Sequence, residues 1–219
     1  KKKSPATKLI SLCDNILPHE KAPFSHFFIS YLFRKLHGHL VQSSQTEEEL
    51  QAIVTSPIYE KRFHPLYTTF PDKIEKNTAR KILGLKTENI ILYFGIIREY
   101  KGFDTLLKAI SELKDKRTDF HLLAAGECYG SDEKYTKMIS DLDISDYITW
   151  HNRYIPDEDV AMYFSAADVV ALPYRSASQS GIIQIAYNYD IPVIVTNVGG
   201  LPEIVDEGKS SIIIKPENS

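Results

Sequence analysis

Cysteine is scarce in this sequence, and its two copies lie far apart. Cys13 and Cys128 are the only cysteines among the 219 residues. Such distant thiols form neither a disulfide framework nor a zinc knuckle, because both depend on several closely placed cysteines. We therefore expect free thiols and a reducing, cytoplasmic environment.

Long apolar runs are also missing, and neither sign of charge dominates. No stretch approaches the roughly 20 apolar residues that a membrane-spanning helix needs, and the start shows no signal-peptide pattern. The formal net charge is −3, so no broad basic surface is available for nucleic-acid phosphates. The N-terminal run of Lys1, Lys2 and Lys3 is either solvated or in peripheral contact with an anionic membrane.

The residues that are present are typical of a globular α/β protein. Hydrophobic residues make up 43% of the chain and charged residues 25%, which disfavours disorder. Strands are predicted over 90–95, 120–125, 147–151, 168–172, 193–196 and 211–214. Helices are predicted over 78–83, 103–113, 133–142, 156–166, 181–189 and 202–206. Strands that alternate with crossover helices predict a doubly wound, parallel sheet of the Rossmann type.

A second, smaller α/β unit is predicted before this regular pattern. Its strands are predicted over 8–13 and 38–42, and a helix over 24–36. Residues 53–59 are predicted as a short or edge strand, because Pro57 cannot donate a hydrogen bond to a neighbouring strand. Thr46, with Glu49 three residues on, predicts the capping box that starts another helix.

An irregular segment separates the two predicted units. Residues 63–72 contain Pro65 and Pro71 and show no clear periodicity, which predicts a connector between domains. We therefore divide the chain into 1–72, a partial N-terminal domain with its connector, and 73–219, a C-terminal domain. Since the chain lacks an initial Met and stops just after a predicted strand, we expect it to be truncated at both ends.

The loop after the first strand of the larger unit is a candidate anion site. In a doubly wound sheet, ligands bind at the carboxyl ends of the strands. Gly95 ends this strand, and glycine lets the backbone approach a ligand closely. Arg98 and Lys101 follow it and precede a helix, an arrangement that suits a diphosphate. The alternative is a pair of solvated basic residues on a surface turn.

The loops after three further strands supply polar groups. Glu127 can bind a hydroxyl or cap a turn. Asn152 and Arg153 can flank a nucleobase, whereas the neighbouring His151 is more often structural in such a place. The fourth loop can either cap its helix or bind a phosphate or sugar hydroxyl. Its candidate residues are Ser178, Gln179, Ser180, Gly181 and Ile182.

The order and spacing of these segments resemble the C-terminal domain of the retaining family 4 glycosyltransferases, which have the GT-B fold. The most specific piece is the run 191–203, Ile-Pro-Val-Ile-Val-Thr-Asn-Val-Gly-Gly-Leu-Pro-Glu. The other matching pieces are Tyr93-Phe94-Gly95 with Arg98 and Lys101-Gly102, Ala125-Gly126-Glu127, and Ala166-Ala167-Asp168 with Leu172-Pro173-Tyr174. Upstream, Cys13-Asp14-Asn15 and Pro18-His19-Glu20 resemble the latter half of the family's N-terminal domain.

The resemblance implies a hexosyltransferase-like enzyme of polysaccharide biosynthesis. Such an enzyme moves a sugar from a nucleotide diphosphate sugar to a hydroxyl acceptor, with retention. The acceptor would be a glycan, a lipid-linked molecule or a small molecule, and no nucleic acid is expected as a partner. No cofactor or divalent metal is expected, and the N-terminal domain is the predicted place of any peripheral membrane contact. Because part of the acceptor side is missing, we expect the fragment alone to be inactive.

The resemblance also implies roles for individual residues. Arg98 and Lys101 would hold the donor diphosphate, while Asn152 and Arg153 would lie near the base. The loop 178–182 would face the sugar. The sugar hydroxyls would be bound by Glu127, Gln179 and Gln184.

Two departures from the family pattern concern the chemistry. The family usually has two Glu residues separated by seven others, and these positions fall near Ala177 and Ile185. Gln184 is the nearest polar substitute, and a neutral amide cannot stabilise developing positive charge as a carboxylate does. Relatives often have His where Asp14 stands, so either Asp14 or His19 takes that catalytic role, or neither does.

Two other functions stay open at this point. The first is a sugar-nucleotide epimerase, which shares the GT-B fold. The second is a non-catalytic homologue that binds a nucleotide or a protein partner, a reading that the missing carboxylates favour.

Overall fold

The computed structural model describes residues 7–18 and 24–217. Lys1, Lys2, Lys3 and His19, on which predictions were made, lie outside the described residues. The described chain contains two parallel sheets with helices packed on them. Cys13 and Cys128 are free and buried, as predicted.

The smaller sheet has three parallel strands in the order β1-β2-β3. Its elements are β1 (Ile10–Cys13), α1 (Ser25–Phe33), β2 (Gly38–Val41), α2 (Ser44–Ile53) and β3 (Tyr59–Lys61). Each strand is parallel to the next because a helix carries the chain back between them. Apolar side chains of α2 and β2 close the core of this unit, namely Val41, Leu50 and Ile53, together with Cys13 and Ile16.

Two local predictions in this unit are wrong. Helix α2 is capped by Ser43, whose hydroxyl accepts a 3.2 Å hydrogen bond from the backbone N–H of Thr46. The Thr46 hydroxyl in turn accepts from the backbone N–H of Ser43 at 3.0 Å. Thr46 therefore takes the third-residue place that we assigned to Glu49. The third strand begins at Tyr59 rather than at residue 53, because α2 continues to Ile53 and Pro57 follows it.

The larger sheet has six parallel strands in the order β6-β5-β4-β7-β8-β9. The strands are β4 (Asn89–Phe94), β5 (Phe120–Ala125), β6 (Ile148–His151), β7 (Val169–Leu172), β8 (Val193–Thr196) and β9 (Ser211–Ile214). The helices are α3 (Lys76–Ile82), α4 (Phe103–Lys114), α5 (Glu133–Asp141), α6 (Asp157–Ala166) and α7 (Gly181–Asn188). These elements confirm the predicted alternation, although the predicted helix over 202–206 is a 3₁₀ turn, Pro202–Ile204. The predicted domain boundary after residue 72 stays a prediction.

Both faces of the larger sheet are covered by helices, as its apolar strands require. Leu92 and Phe94 of β4 lie in the core shared with α6 and α7. Tyr93, between them, points to the opposite face and packs with Phe103 of α4, 4.8 Å away between ring centroids. This alternation follows from the period of two along a strand.

The strand order reverses direction between β4 and β7. From β4 the chain adds β5 and β6 on one side, and then returns to add β7, β8 and β9 on the other. Loops that leave neighbouring strands in opposite directions open a crevice at their carboxyl ends. The amino ends of α4 and α7 therefore border one crevice.

Glycine lets the loops around this crevice approach each other closely. A Cβ atom on Gly126, where φ is +145°, would overlap the carbonyl oxygen of Gly95. A Cβ atom on Gly102, where φ is +68°, would overlap the carbonyl oxygen of Pro173. The ends of β4, β5 and β7 thus meet backbone to backbone, which only glycine allows.

A carboxylate joins the smaller sheet to the larger one. Both oxygens of Glu203 accept from the backbone N–H of Ser44, at 2.9 and 3.1 Å, at the first turn of α2. Lys61 of β3 lies 3.2 Å from the same carboxylate. A negative charge at a helix N-terminus is favourable, so this contact joins α2 and β3 of the smaller unit to the larger one.

We expect Gly102→Ala to destabilise the protein more than Gly84→Ala. The two glycines have almost the same φ, +68° and +69°, but no atom lies within 4 Å of a Cβ built on Gly84. The control should therefore lose only the cost of left-handed backbone, about 1–2 kcal/mol. Gly102→Ala should lose roughly 1–3 kcal/mol more, because the carbonyl of Pro173 must move. Equal losses in urea denaturation would contradict the close approach.

Candidate functional site

A cavity of about 470 Å³ lies in the crevice between the two sheets. Four parts of the chain line it: the loop after β1, the connector, the loop before α4, and the β7–α7 loop with the start of α7. The lining residues are Asp14, Asn15, Tyr67, Phe70, Tyr100, Lys101, Tyr174, Ala177, Gln179, Ser180, Gly181, Ile182 and Ile185. The loops singled out after β1, β4 and β7 therefore meet in one place.

Lys101 is the cation of this cavity. Its side chain is half-buried, and its ammonium lies 5.6 Å from the centre of the Tyr174 ring. Among the residues that the structure describes, no carboxylate pairs with it. Burial lowers the pKa of Lys101, because removing the ammonium from water disfavours its charged form. A desolvated cation without an anionic partner is suited to an anionic ligand.

Arg175 holds the backbone that carries Lys101. Its guanidinium donates to the carbonyl of Glu99 at 2.7 Å and to the carboxylate of Asp104 at 2.9 Å. Its backbone N–H donates to the carbonyl of Tyr100 at 2.7 Å. The hydrogen bond to Asp104 raises the pKa of Arg175. Sequence reasoning missed this residue, because its partners lie on another loop and no local spacing indicates the contact.

Arg98 does not line the same cavity as Lys101. Its guanidinium carbon lies 4.0 Å from the centre of the Tyr129 ring, on the side of the β5–α5 loop. Main-chain hydrogen bonds join these loops, from Ile97 to the carbonyl of Glu127 at 2.9 Å and from Tyr129 to the carbonyl of Ile97 at 3.0 Å. The Glu127 side chain is exposed there. The donor roles of Arg98 and Glu127 stay predictions.

The residues after β6 are engaged within the protein. The side-chain oxygen of Asn152 accepts from the backbone N–H of Cys128 at 2.9 Å, and its amide group donates to Asp132 at 2.7 Å. Arg153 lies 3.7 Å from the carboxylate of Asp159. Neither residue lines the cavity, so their predicted contact with a base requires a ligand that extends beyond it.

His151 supports the structural alternative. Its Nδ1 lies 2.7 Å from the hydroxyl of Tyr163, in a bond between β6 and α6. Burial lowers the pKa of His151, because the charged imidazolium would be desolvated there.

The β7–α7 loop leaves polar atoms without partners. The N-cap of α7 is Ser180, but no side chain caps the helix, so of the two alternatives for this loop the capping one is wrong. Within the described structure, the buried Oγ of Ser178 and Oε1 of Gln179 have no hydrogen-bond partner. Buried polar atoms normally have one, so this loop is suited to receiving a polar ligand.

Helix geometry separates Gln184 from the cavity. Ala177 and Ile185, where the family pattern has carboxylates, both line the cavity. Gln184 lines a different cavity of about 360 Å³, together with Tyr187 and Glu203. Neighbouring helix positions point about 100° apart, so Gln184 and Ile185 face different sides of α7. The structure therefore does not bring Gln184 to Lys101.

Asp14 is the one carboxylate among the described residues that line the cavity. It lies at the carboxyl end of β1 and is exposed. Burial of Tyr67 raises its pKa, and the negative charge of Asp14 raises it further. Asp14 therefore lies near Tyr67, on the side of the cavity that the smaller sheet supplies.

The described residues contain no group of three or more His, Cys, Asp or Glu side chains that could hold a metal ion. The expectation that no metal is needed stays a prediction. None of the described helices is both long enough and apolar enough to cross a membrane.

Comparison with known proteins finds similar sequences and structures. A family profile described as "Glycosyl transferases group 1" matches residues 88–219. The D-inositol 3-phosphate glycosyltransferase of Corynebacterium aurimucosum is 28% identical over 155 residues, which are 68% of this chain and 36% of that protein. Sucrose-phosphate synthase from Thermosynechococcus elongatus has a TM-score of 0.81 at 20% identity, covering 95% of this chain and 55% of that one. Anabaena HepE in complex with UDP and glucose has a TM-score of 0.78 at 15% identity, covering 96% of this chain and 58% of that one.

These likenesses confirm the predicted fold class, the parallel-sheet α/β architecture of GT-B glycosyltransferases. At 15–20% identity the structures show the fold alone. The chain spans 36% of the length of the Corynebacterium relative. It therefore corresponds to part of those proteins, with its profile match in the larger sheet.

If a diphosphate binds at Lys101, the lowered pKa of this residue predicts how the affinity depends on pH. The anion binds the ammonium form, so affinity should fall as the pH rises through the pKa of Lys101. Because burial lowers that pKa, the fall should begin at a lower pH than for an exposed lysine. Lys101→Arg should show no such fall from about pH 8 upward, since a guanidinium stays protonated. Titration calorimetry at a series of pH values measures the affinity of the wild type and of the variant. If the wild-type affinity does not change with pH any more than that of the variant, the prediction is contradicted.

Proposed function

This chain belongs to the group 1 glycosyltransferases, and from that premise we propose that its cleft binds a nucleotide diphosphate sugar. The whole protein would transfer the sugar to a hydroxyl acceptor, with retention at the anomeric carbon. The acceptor would be a glycan, a lipid-linked molecule or a small molecule. We place the protein in the cytoplasm, and we expect the fragment alone to be inactive because the acceptor side is incomplete.

The observation that carries the proposal is the unpaired, half-buried ammonium of Lys101 at the strand reversal. It faces a cavity that also contains the first residues of α7, Gly181 and Ile182. The amides at the start of a helix favour an anion. A diphosphate bridging these groups would complete a charge pair that the described protein lacks.

The chemistry needs charge neutralisation at the leaving group. When the bond between the sugar and the diphosphate breaks, negative charge grows on the phosphate oxygens, and pre-placed donors stabilise it. Lys101 and the amides of α7 would supply this without a metal. The positive charge that develops on the sugar also needs stabilisation, and the apolar side chains of Ala177 and Ile185 cannot supply it. Asp14 is then the carboxylate available to the sugar or to the acceptor hydroxyl.

The apolar pair at 177 and 185 also favours a second candidate, a non-catalytic nucleotide-binding homologue. The two functions differ in one result for the full-length protein. A transferase releases nucleoside diphosphate from a nucleotide sugar in the presence of an acceptor, whereas a binding protein does not. An epimerase would instead convert the nucleotide sugar without any acceptor.

We expect Lys101→Ala to weaken nucleoside diphosphate binding about ten- to hundredfold, by removing a charge-assisted hydrogen bond. Arg98→Ala should have a smaller effect, because its side chain lies over Tyr129. The control is Lys209→Ala, whose partner Asp206 lies outside the cavity. Calorimetric titration with UDP, GDP, ADP and dTDP measures the affinities. If Lys101→Ala and Lys209→Ala both keep wild-type affinity, the diphosphate lies elsewhere and the proposal fails.

We place the predicted peripheral membrane contact on α1. Its side chains Phe27, Phe28 and Tyr31 are 62–67% exposed on one face, and Lys35 lies 5.5 Å from the Tyr31 ring centre. Aromatic residues beside basic ones suit the surface of an anionic bilayer. Phe27→Ser with Phe28→Ser should weaken sedimentation with phosphatidylglycerol vesicles at least about tenfold. The control is Ile82→Ser on α3; unchanged sedimentation of the α1 variant, or none by the wild type, would refute the contact.

A further inference from the structure

The connector contributes an aromatic residue to the cleft. Tyr67 lines the same cavity as Lys101 and Gly181, although it lies in a segment without helix or strand. Its ring packs over the first residue of α7, since a Cβ atom on Gly181 would lie 2.9 Å from Cε2 of Tyr67. Phe70 supports the ring in an edge-on contact at 6.0 Å between centroids.

His64 fixes the hydroxyl of Tyr67. The Nδ1 atom of His64 lies 2.9 Å from the carbonyl oxygen of Pro65, which can only accept. In the neutral ring Nδ1 therefore carries the hydrogen, and Nε2 is an acceptor. The Tyr67 hydroxyl, 3.0 Å from Nε2, must donate to it. The phenolic oxygen then keeps its lone pairs for a donor outside the protein.

Tyr67 and Lys101 lie on two sides of the start of α7. A Cβ atom on Gly95 would lie 3.5 Å from Nζ of Lys101 and 3.6 Å from Cδ1 of Ile182. Gly181, which immediately precedes Ile182, is covered by the Tyr67 ring. A group attached to a phosphate at Lys101 can therefore reach Tyr67 across Gly181 and Ile182.

We propose that Tyr67 contacts the sugar of the bound nucleotide sugar, with its ring against an apolar face of the sugar and its oxygen accepting from a sugar hydroxyl. This inference rests on the proposed function. His64 is a positioning residue, which acts by directing the Tyr67 hydroxyl. Burial and the charge of Asp14 raise the pKa of Tyr67, so the phenol stays neutral at the pH of the measurements.

The test compares a nucleoside diphosphate with its glucose conjugate, UDP with UDP-glucose first, because HepE was solved with UDP and glucose. The GDP, ADP or dTDP pair replaces them if it binds more tightly. Tyr67→Phe should weaken binding of the conjugate about two- to tenfold and leave binding of the diphosphate unchanged, since one neutral hydrogen bond is lost. His64→Ala should produce part of the same selective loss. His64→Gln should restore the affinity for the conjugate, because its amide oxygen accepts the hydrogen bond from the Tyr67 hydroxyl.

The control is Tyr59→Phe, which also removes a bonded phenol, one that donates to Glu47 at 2.6 Å on the smaller sheet. It should change neither affinity. Equal weakening of diphosphate and conjugate by Tyr67→Phe would assign Tyr67 to the nucleotide and overturn the sugar contact. Unchanged affinities for both would overturn it as well. A wild-type protein that binds none of the four diphosphates would instead contradict the proposed function itself.

Discussion

The structure depends on a close backbone contact between the ends of three parallel strands. The loops after β4, β5 and β7 meet where Gly126 faces the carbonyl of Gly95 and Gly102 faces the carbonyl of Pro173. A side chain at either glycine would force the loops apart. Because the loops meet, Lys101 before α4 and Gly181 at the start of α7 lie in one cavity. The hydrogen bonds from the Arg175 guanidinium to Glu99 and Asp104 then fix the backbone around Lys101.

The second sheet completes the cleft rather than only flanking it. Glu203 accepts hydrogen bonds at the start of α2, and the hydroxyl of Tyr189 donates to the carbonyl of Pro71 in the connector; these contacts join the smaller unit and the connector to the larger one. Asp14 and Tyr67 consequently face Lys101 across one cavity. The cavity is built from both units, so its polar character depends on residues that lie far apart in the sequence.

Sequence periodicity predicted the regular elements well, because each buried strand or helix face leaves a local pattern. It also identified the loop that contains Lys101, since glycine and cations at a strand end are local signals. It could not separate Arg98 from Lys101, because only the three-dimensional path shows that one side chain turns toward Tyr129. The hydrogen bonds of Arg175 and the bond between His64 and Tyr67 were missed, because the orientation of a side chain is not visible in sequence periodicity. The capping error at Thr46 arose because Ser43 and Thr46 both have a hydroxyl that can cap a helix, and the structure places Ser43 at the N-cap and Thr46 at the third position.

The central claim is that Lys101 holds the diphosphate of a nucleotide at the strand reversal. A structure of this chain crystallised with the tightest-binding nucleoside diphosphate tests it most directly, because it locates both the phosphates and Nζ of Lys101. We predict a phosphate oxygen at hydrogen-bond distance from Nζ, about 2.7–2.9 Å, with the phosphate against the first amides of α7. A diphosphate bound elsewhere, with Lys101 still without an anion, would contradict the account.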